Sequence, residues 1–402
     1  MKILMVSEDI PRPQLGGLAR QVVVLANALI DAGHEVVLMG AATPSYESCA
    51  GEVGFRGRFI AGFDGLEAGW KEVSLGCFNP FKRGFMAARI ARAIQAHAQG
   101  FDVVHYHGHY PMLNLHLPLG LPFVQTRHDQ GSECLTHMRF RDGDVCRALD
   151  PRACAGCIHP QPGPLRTAVS AAAVRRYRQQ TAEAFARHEV VFVSDFLRRQ
   201  FRRAVPQAKL ERSQVIHAFI DEAARAEPAA VQAQGGTVIH VAGRLAATKG
   251  IVDFIRLLKP VLPAGWRVDV FGDGPQRDEL VALCDERIVW HGHRPTAEVM
   301  RSSSAASVAV VPSLCEEAWG AVTAEALRFG VPCYALDRGG TPELARYAAP
   351  GQLRLFNDLL ALVQALVRDP IPGHSPGGDS ADVRARLPEL LALYEKVRQG
   401  KT

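Results

Sequence analysis

The apolar positions of the chain alternate between short runs and helical stripes. The first run, K-I-L-M-V at residues 2–6, stops at a polar loop that contains proline and glycine. From Leu18 to Ala32 the residues Val22, Leu25, Ala26 and Leu29 recur at helical spacing, and Gly33 follows as a C-terminal cap. Residues 35–39 are apolar again. Strand, loop, helix and strand in that order make one βαβ unit, whose strands are expected to be parallel. The alternation continues with predicted helices at 85–98, 175–187 and 195–204 and strands at 103–106, 123–126 and 190–194. A stretch rich in alanine and glutamine, residues 219–236, ends in Gly235-Gly236 and reads as a linker.

The pattern then restarts. Strands are predicted at 237–241, 266–271, 288–290, 308–311 and 333–336, with helices at 250–258, 276–284, 296–302 and 321–329 between them. A loop rich in Pro, Gly, Ser and Asp, residues 369–380, precedes an amphipathic helix at 383–399. The predicted fold class is α/β, with two Rossmann-like doubly wound parallel sheets in tandem. The expected bounds are 1–218 for the first domain and 219–382 for the second, with 383–402 a terminal helix that packs back on the first. Ligands of open parallel sheets sit beyond the carboxyl ends of the strands, so two such domains facing each other are expected to enclose a cleft there.

Composition narrows the class. The length of 402 residues suits two domains, and 48% hydrophobic with 22% charged residues is ordinary globular content. No apolar run approaches about 18 residues, so no membrane-spanning helix is expected. The opening run meets Glu8 and Asp9 too soon for a signal peptide, and a cytoplasmic protein is expected. The net charge of +5 suits an anionic small ligand or a lipid surface, without calling for nucleic acid. Arg175, Arg176, Arg198, Arg199, Arg202 and Arg203 have two readings. One is an anionic, lipid-linked acceptor met peripherally at the inner face of a membrane, and the other is a solvated helix face.

Four segments after predicted strands carry candidate chemistry. V-A-G-R-L-A-A-T-K-G, residues 241–250, brings Gly243 and Arg244 off a strand and Lys249 to a helix start. Two cations beside helix-terminal N–H groups suit a diphosphate. P-S-L-C-E-E-A-W-G-A-V-T-A-E-A, residues 312–326, sets Glu317 in a loop, lets Gly320 turn the chain, and sets Glu325 roughly two turns into a helix. One carboxylate suits a sugar hydroxyl and the other a ribose diol. G-G-T-P-E at 339–343 and F-G-D-G-P at 271–275, with Gly272 and Gly274, permit close backbone approach to a ligand or are plain turns.

The first half offers H-Y-H-G-H at 105–109 and T-R-H-D at 126–129. Alternating histidines share a strand face, which admits a metal. Among the nine cysteines, Cys134, Cys146, Cys154 and Cys157 cluster, and Cys154-x-x-Cys157 supplies two thiolates on one tight turn. A structural zinc is one reading of this insertion, about residues 130–165, with His137 or His159 able to replace a thiolate; an iron–sulfur or redox site and free thiols are the others. Asp142-Gly-Asp144 reads as a loop.

As a set, the four C-terminal segments resemble the retaining glycosyltransferases of family 4, which have the GT-B fold. The resemblance covers most of residues 237–345 and includes the spacing of the two glutamates. It implies that Arg244 and Lys249 bind the donor diphosphate, that Glu325 holds the ribose, and that Glu317 contacts the transferred sugar. The backbone around Trp319, Gly320 and Ala321 is then expected to donate to phosphate or sugar, with Trp319 standing where the family usually has phenylalanine. Gly16 and Gly17 match a glycine pair that approaches the donor phosphates, and His128 and Asp129 match the first-domain His-Asp position near the donor sugar. Ser194 matches a serine common in relatives. The implied activity is metal-independent hexosyl transfer, with retention, from a nucleotide-diphosphate sugar to a hydroxyl of a glycan, lipid-linked sugar or small molecule. It needs no catalytic cofactor. Rival readings are a nucleotide-sugar epimerase and a non-catalytic nucleotide-sugar binder. A dinucleotide oxidoreductase fits poorly, because adjacent Gly16 and Gly17 do not make G-x-G-x-x-G.

Overall fold

The computed structural model describes every residue except 12–15, 43–44, 64–79, 159–162, 222–235, 302, 304–305, 375–380 and 401–402. The predicted linker and His159 therefore lie wholly or mostly outside the described residues. The chain divides into two compact units, one of residues 1–139, 147–217 and 386–402 and the other of residues 140–146 and 218–385. The cysteine-containing insertion and the terminal helix are each divided between the two. Spatial proximity of the backbone decides such membership, and chain order does not encode it.

The strands of the first half are β1 (Lys2–Val6), β2 (Glu35–Ala41), β3 (Arg58–Phe63), β4 (Val103–His107), β5 (Phe123–Arg127), a separate hairpin of β6 (Phe140–Arg141) and β7 (Asp144–Val145), then β8 (Glu189–Phe192) and β9 (Ser213–Val215). Seven of them form a sheet in the order β3-β2-β1-β4-β5-β8-β9, every pair parallel. β4 and β5 are buried along their whole length, as parallel strands covered on both faces are. The longer helices are α1 (Gly17–Asp31), α2 (Pro80–His97), α3 (Pro164–Phe185) and α4 (Asp195–Ala204). α3 starts eleven residues before its predicted onset, at Gly163 as cap and Pro164 as first helical residue. Its first turns leave Leu165 and Val169 exposed, so no buried stripe announced them. Ser194 caps α4, its hydroxyl accepting the Leu197 N–H at 3.2 Å.

The second unit contains β10 (Val238–Ala242), β11 (Arg267–Phe271), β12 (Ile288–Trp290), β13 (Ser307–Val311), β14 (Cys333–Leu336) and β15 (Leu353–Phe356), in the order β12-β11-β10-β13-β14-β15, again all parallel. Its longer helices are α5 (Ile251–Leu258), α6 (Ala321–Arg328) and α7 (Leu359–Arg368). Alternate strand residues Ile239, Val241, Val268, Val270, Val308 and Val310 face one side of the sheet. There they share a buried cluster with Phe254, Ile255 and Leu258 of α5 and with Leu362 and Leu366 of α7. Truncating the fully buried Phe254 to alanine would cost about 3–5 kcal/mol. This core holds the strand ends, and hence their loops, in place. α8 (Val383–Arg398) closes the described chain. Its Tyr394 hydroxyl meets His105 Nδ1 at 2.6 Å, and its Lys396 meets Glu189 at 2.9 Å, both within the first unit.

In each sheet the strand order reverses beside the first strand, between β1 and β4 and between β10 and β13. The loops leaving those strands flank a topological switch point, where doubly wound sheets take their ligands.

Candidate functional site

In the second unit the loop leaving β10 carries Gly243, exposed Arg244 and half-buried Lys249, and Gly250 then caps α5. The loop leaving β13 carries Ser313 and Glu317. The Cys315 N–H donates to the Thr248 carbonyl at 2.9 Å and ties the two loops together. The Lys249 ammonium donates to Glu317 Oε1 at 2.6 Å, and the Ser313 hydroxyl donates to the same oxygen at 2.6 Å. Burial alone would raise the Glu317 pKa, but the adjacent ammonium prevails and holds it below the usual glutamate value. Burial likewise works against the charged Lys249, yet Glu317 prevails and raises its pKa, while Arg244 opposes it as a like charge. The cluster is thus a fixed ion pair with a second cation beside it.

The neighbouring turns brace this arrangement. The Gly340 N–H donates to the Glu317 carbonyl at 2.7 Å, and Glu317 and Gly339 form an isolated parallel bridge. Gly272 has φ 137°, and a Cβ there would lie 1.8 Å from the Gly243 carbonyl oxygen, so only glycine fits. Gly274 stands against Leu245 in the same way, and the Leu245 N–H donates to the Asp273 carbonyl at 2.9 Å. Trp319 is buried edge-on to Tyr347, with ring centroids 6.3 Å apart. Gly320, at φ 96°, caps α6, and Ala321 is its first residue. Glu325 is the fifth residue of α6, just over one turn in and not two as the sequence suggested, since the helix starts at Ala321 as expected and four residues further make little more than one turn.

In the first unit Gly16 caps α1, and a Cβ at Gly16 or Gly17 would meet nothing within 4 Å. The alternating histidines do share a face, but each has its own partner. His105 contacts Tyr394 and, at 2.7 Å, the Thr126 hydroxyl. His107 Nδ1 lies 2.9 Å from His128 Nε2, and His109 Nε2 lies 2.9 Å from Asp9. Burial first, and then neighbouring positive charge, pushes His105 and His128 down to about 3, so both rings are neutral near pH 7. Burial alone would raise Asp129, but His137 and His109 reverse this and hold it well below the usual aspartate value. Glu8 lies between the Tyr106 hydroxyl at 2.8 Å and the His109 N–H at 2.7 Å, yet burial raises its pKa.

Within the first unit, Cys134, Cys154 and Cys157 do not gather their sulfurs into one cluster in this structure. A guanidinium reaches one of them. Arg178 of α3 donates to the Glu133 carbonyl at 3.0 Å, to the Leu149 carbonyl at 2.6 Å and to Cys154 Sγ at 3.8 Å, tying the insertion together with one positive charge. Among the described residues the group that does converge is His109, Asp129 and His137. Asp142 and Gly143, with φ 54° and 81°, form the two-residue turn between β6 and β7, the loop expected of Asp-x-Asp.

Known proteins carry the same patterns. The family model for Glycosyltransferase Family 4 matches residues 15–224, and that for Glycosyl transferases group 1 matches residues 236–368. The chain belongs to glycosyltransferase family 4. It is 33% identical over 186 residues to 2-deoxystreptamine glucosyltransferase of Streptomyces kanamyceticus, covering 41% of this chain and 46% of that protein. It is 32% identical over 176 residues to an exopolysaccharide phosphotransferase of Streptomyces coelicolor, covering 42% of this chain and 17% of that protein. The chain thus spans less than half the length of these curated relatives. Among solved structures, a glycosyltransferase from Rickettsia africae superposes with TM-score 0.61 at 15% identity over 98% of each chain. Anabaena HepE in complex with UDP and glucose superposes with TM-score 0.58 at 15% identity, over 100% of this chain and 98% of that one. These likenesses establish the GT-B fold.

Within this family member, sequence reasoning found Lys249 and Glu317 but missed Ser313, although a hydroxyl just past a strand at the switch point was a readable signal. It also missed Glu8, Asp9 and Arg83. Two acids at the end of β1 were legible, but a buried arginine on α2 was not. No helix of the described residues is long and apolar enough to cross a membrane.

Proposed function

We propose that this chain transfers a hexosyl group, with retention and without a catalytic metal, from a uridine-diphosphate sugar to a hydroxyl acceptor in glycan, polysaccharide or glycolipid assembly. The observation that carries the reading is the Lys249–Glu317–Ser313 cluster at the switch point of the second unit, with Arg244 beside it. In this reading the diphosphate lies along Arg244, Lys249 and the start of α5, where charge builds as the sugar–phosphate bond breaks. Glu317 takes a sugar hydroxyl and Glu325 the ribose. Two cations supply the countercharge that a metal supplies elsewhere. Uridine is the base proposed because HepE, of the same fold, was solved with UDP and with UDP-glucose.

His128 and Asp129 are assigned to the acceptor side. A histidine with a pKa near 3 and a salt-bridged glutamate are both weak bases near neutrality. That favours proton transfer from the acceptor hydroxyl to the departing diphosphate oxygen. The acceptor oxygen then bonds the anomeric carbon on the face the diphosphate leaves, which retains configuration. The products are the glycoside and UDP, whose departing oxygen carries the proton the acceptor gave up.

The test is calorimetric titration with UDP, GDP and ADP, followed by turnover of the matching sugar donors over a panel of hydroxyl acceptors. Binding of UDP and acceptor-dependent UDP release are expected. Sugar isomerisation without an acceptor would replace this reading with an epimerase, and binding without turnover would leave a nucleotide-sugar binder.

A further inference from the structure

We propose that His137 is a positioning residue for Asp129, locked into one tautomer by Arg83, so that the aspartate beside His128 is held as an anion in a single orientation. The proposal rests on the assignment of His128 and Asp129 to the transfer reaction. His137 comes from the cysteine-containing insertion, outside any motif the function accounts for.

The tautomer follows from donor chemistry. Arg83 Nη2 lies 2.8 Å from His137 Nε2, and a guanidinium can only donate. Nε2 must therefore present its lone pair. In a neutral ring the proton is then on Nδ1, which donates to Asp129 Oδ2 at 3.0 Å. The ring is neutral near pH 7, because burial outweighs the attraction of Asp129 and brings it to about 4. The other Asp129 oxygen accepts the Gly131 N–H at 2.8 Å. Both carboxylate oxygens are thus held, by two donors of the loop between β5 and β6.

Arg83 is itself immobilised. It is completely buried, donates to the Leu135 carbonyl at 3.1 Å and the Gly131 carbonyl at 3.4 Å, and stacks at 4.5 Å on the Tyr177 ring. His137 adopts φ 66°, a left-handed conformation uncommon outside glycine, though histidine is among the residues that adopt it more often. A Cβ on Gly131 would lie 2.2 Å from His137 Nδ1 and 2.7 Å from Asp129 Oδ1. Residue 131 therefore has to be glycine for the histidine to reach the aspartate.

The same geometry decides between this role and a metal. His109, Asp129 and His137 place ligand atoms within 4.8 Å of one another. A metal on His137 Nδ1 would displace the proton to Nε2, directly against the Arg83 N–H. Two donors would then face each other inside the protein, a buried clash of the kind proteins avoid. Hydrogen bonding satisfies Arg83, His137 and Asp129 together, whereas metal binding at His137 leaves one Arg83 N–H without its acceptor.

The experiment uses the full-length protein and three variants. His137→Gln keeps an acceptor for Arg83 and a donor for Asp129, His137→Leu keeps bulk without either, and Gly131→Ala displaces the ring. Relative to the parent, kcat for sugar transfer should fall about 10- to 100-fold in His137→Leu and Gly131→Ala, as expected for a misoriented group. The donor KM and the UDP affinity should stay within about twofold, and His137→Gln should recover most of the loss. Nitrogen NMR of histidine-labelled protein should show His137 protonated at Nδ1 and bare at Nε2 at pH 7. That signal does not depend on activity, so it still reports if transfer cannot be observed and the functional reading itself has failed. Parent-like kcat in His137→Leu, equal loss in His137→Gln, a proton on Nε2, or stoichiometric zinc that leaves with His137 would each overturn the proposal.

Discussion

Replacing Lys249 with alanine removes the ammonium that sits 2.6 Å from Glu317, and the structure sets three separate magnitudes. The first is stability. The Lys249 side chain is 30% exposed and that of Glu317 17%, so the substitution strands a carboxylate that is mostly but not fully buried. Full burial would make this cost about 3–5 kcal/mol, and the remaining solvent access reduces it to about 1–2 kcal/mol. For a unit of this size that is a Tm lower by about 3–6 °C. The second is binding. One lost charge-assisted hydrogen bond is worth about 1.5–3 kcal/mol, hence UDP affinity weaker by about 10- to 100-fold. The third is turnover, where a preorganised donor facing the departing charge accounts for about 100- to 1000-fold in kcat. Glu317 adds a signature of its own. Without the ammonium it becomes an anion facing the diphosphate, so Glu317→Gln in the Lys249→Ala background should restore part of the UDP affinity. Thermal unfolding, calorimetry with UDP, and UDP release from UDP-glucose measure the three effects. If the variant binds UDP within about twofold of the parent and turns over within about threefold, the diphosphate does not lie at Lys249.

Further tests address other parts of the structure. Glu325→Ala should weaken UDP by about tenfold while leaving inorganic pyrophosphate nearly unchanged, since only the nucleotide carries the ribose diol; equal losses in both would count against a ribose contact. Gly272→Ala should destabilise by about 2–5 kcal/mol in urea unfolding, because its Cβ would overlap the Gly243 carbonyl as well as strain the backbone. Gly265→Ala, with positive φ but open space around it, should cost only about 1 kcal/mol, and similar values for the two would deny the close approach. Acid should destabilise the protein well above the carboxylate range. His105 and His128 are held near 3 and His137, His188 and His240 near 4, against 6.5 when unfolded. Between those values the unfolded chain binds more protons, so stability falls as pH drops from about 6.5 to about 4. A Tm that stays flat across that window would mean that these rings are not buried in neutral form.

The elements with a strong period were legible in the sequence. The apolar runs of β10, β12, β13 and β14 appeared within a residue of their observed ends, because they are largely apolar and the three inner ones are covered on both faces. β3, β9, β15 and α7 were not read. The three strands are edge strands of their sheets, only partly buried and with polar residues or glycine among the apolar ones, which dilutes the pattern. Lys249, Glu317 and the glycine turns were read as a set because each lies in a loop leaving a strand, so local position was enough to single them out.

The tertiary structure decided the pairings. Lys249 and Glu317 are 68 residues apart, and Arg83 and His137 are 54 apart. Each pair meets only because the sheet order brings its loops together. The same holds for Cys154, which meets Arg178 from a helix that follows it, 24 residues on. By itself the chain determined which faces are apolar, where strands end and where glycine permits a turn, since those depend on neighbours within a few residues. Which charged group meets which, and therefore which protonation state each keeps, depended on strand order and burial, and no run of residues contains that information.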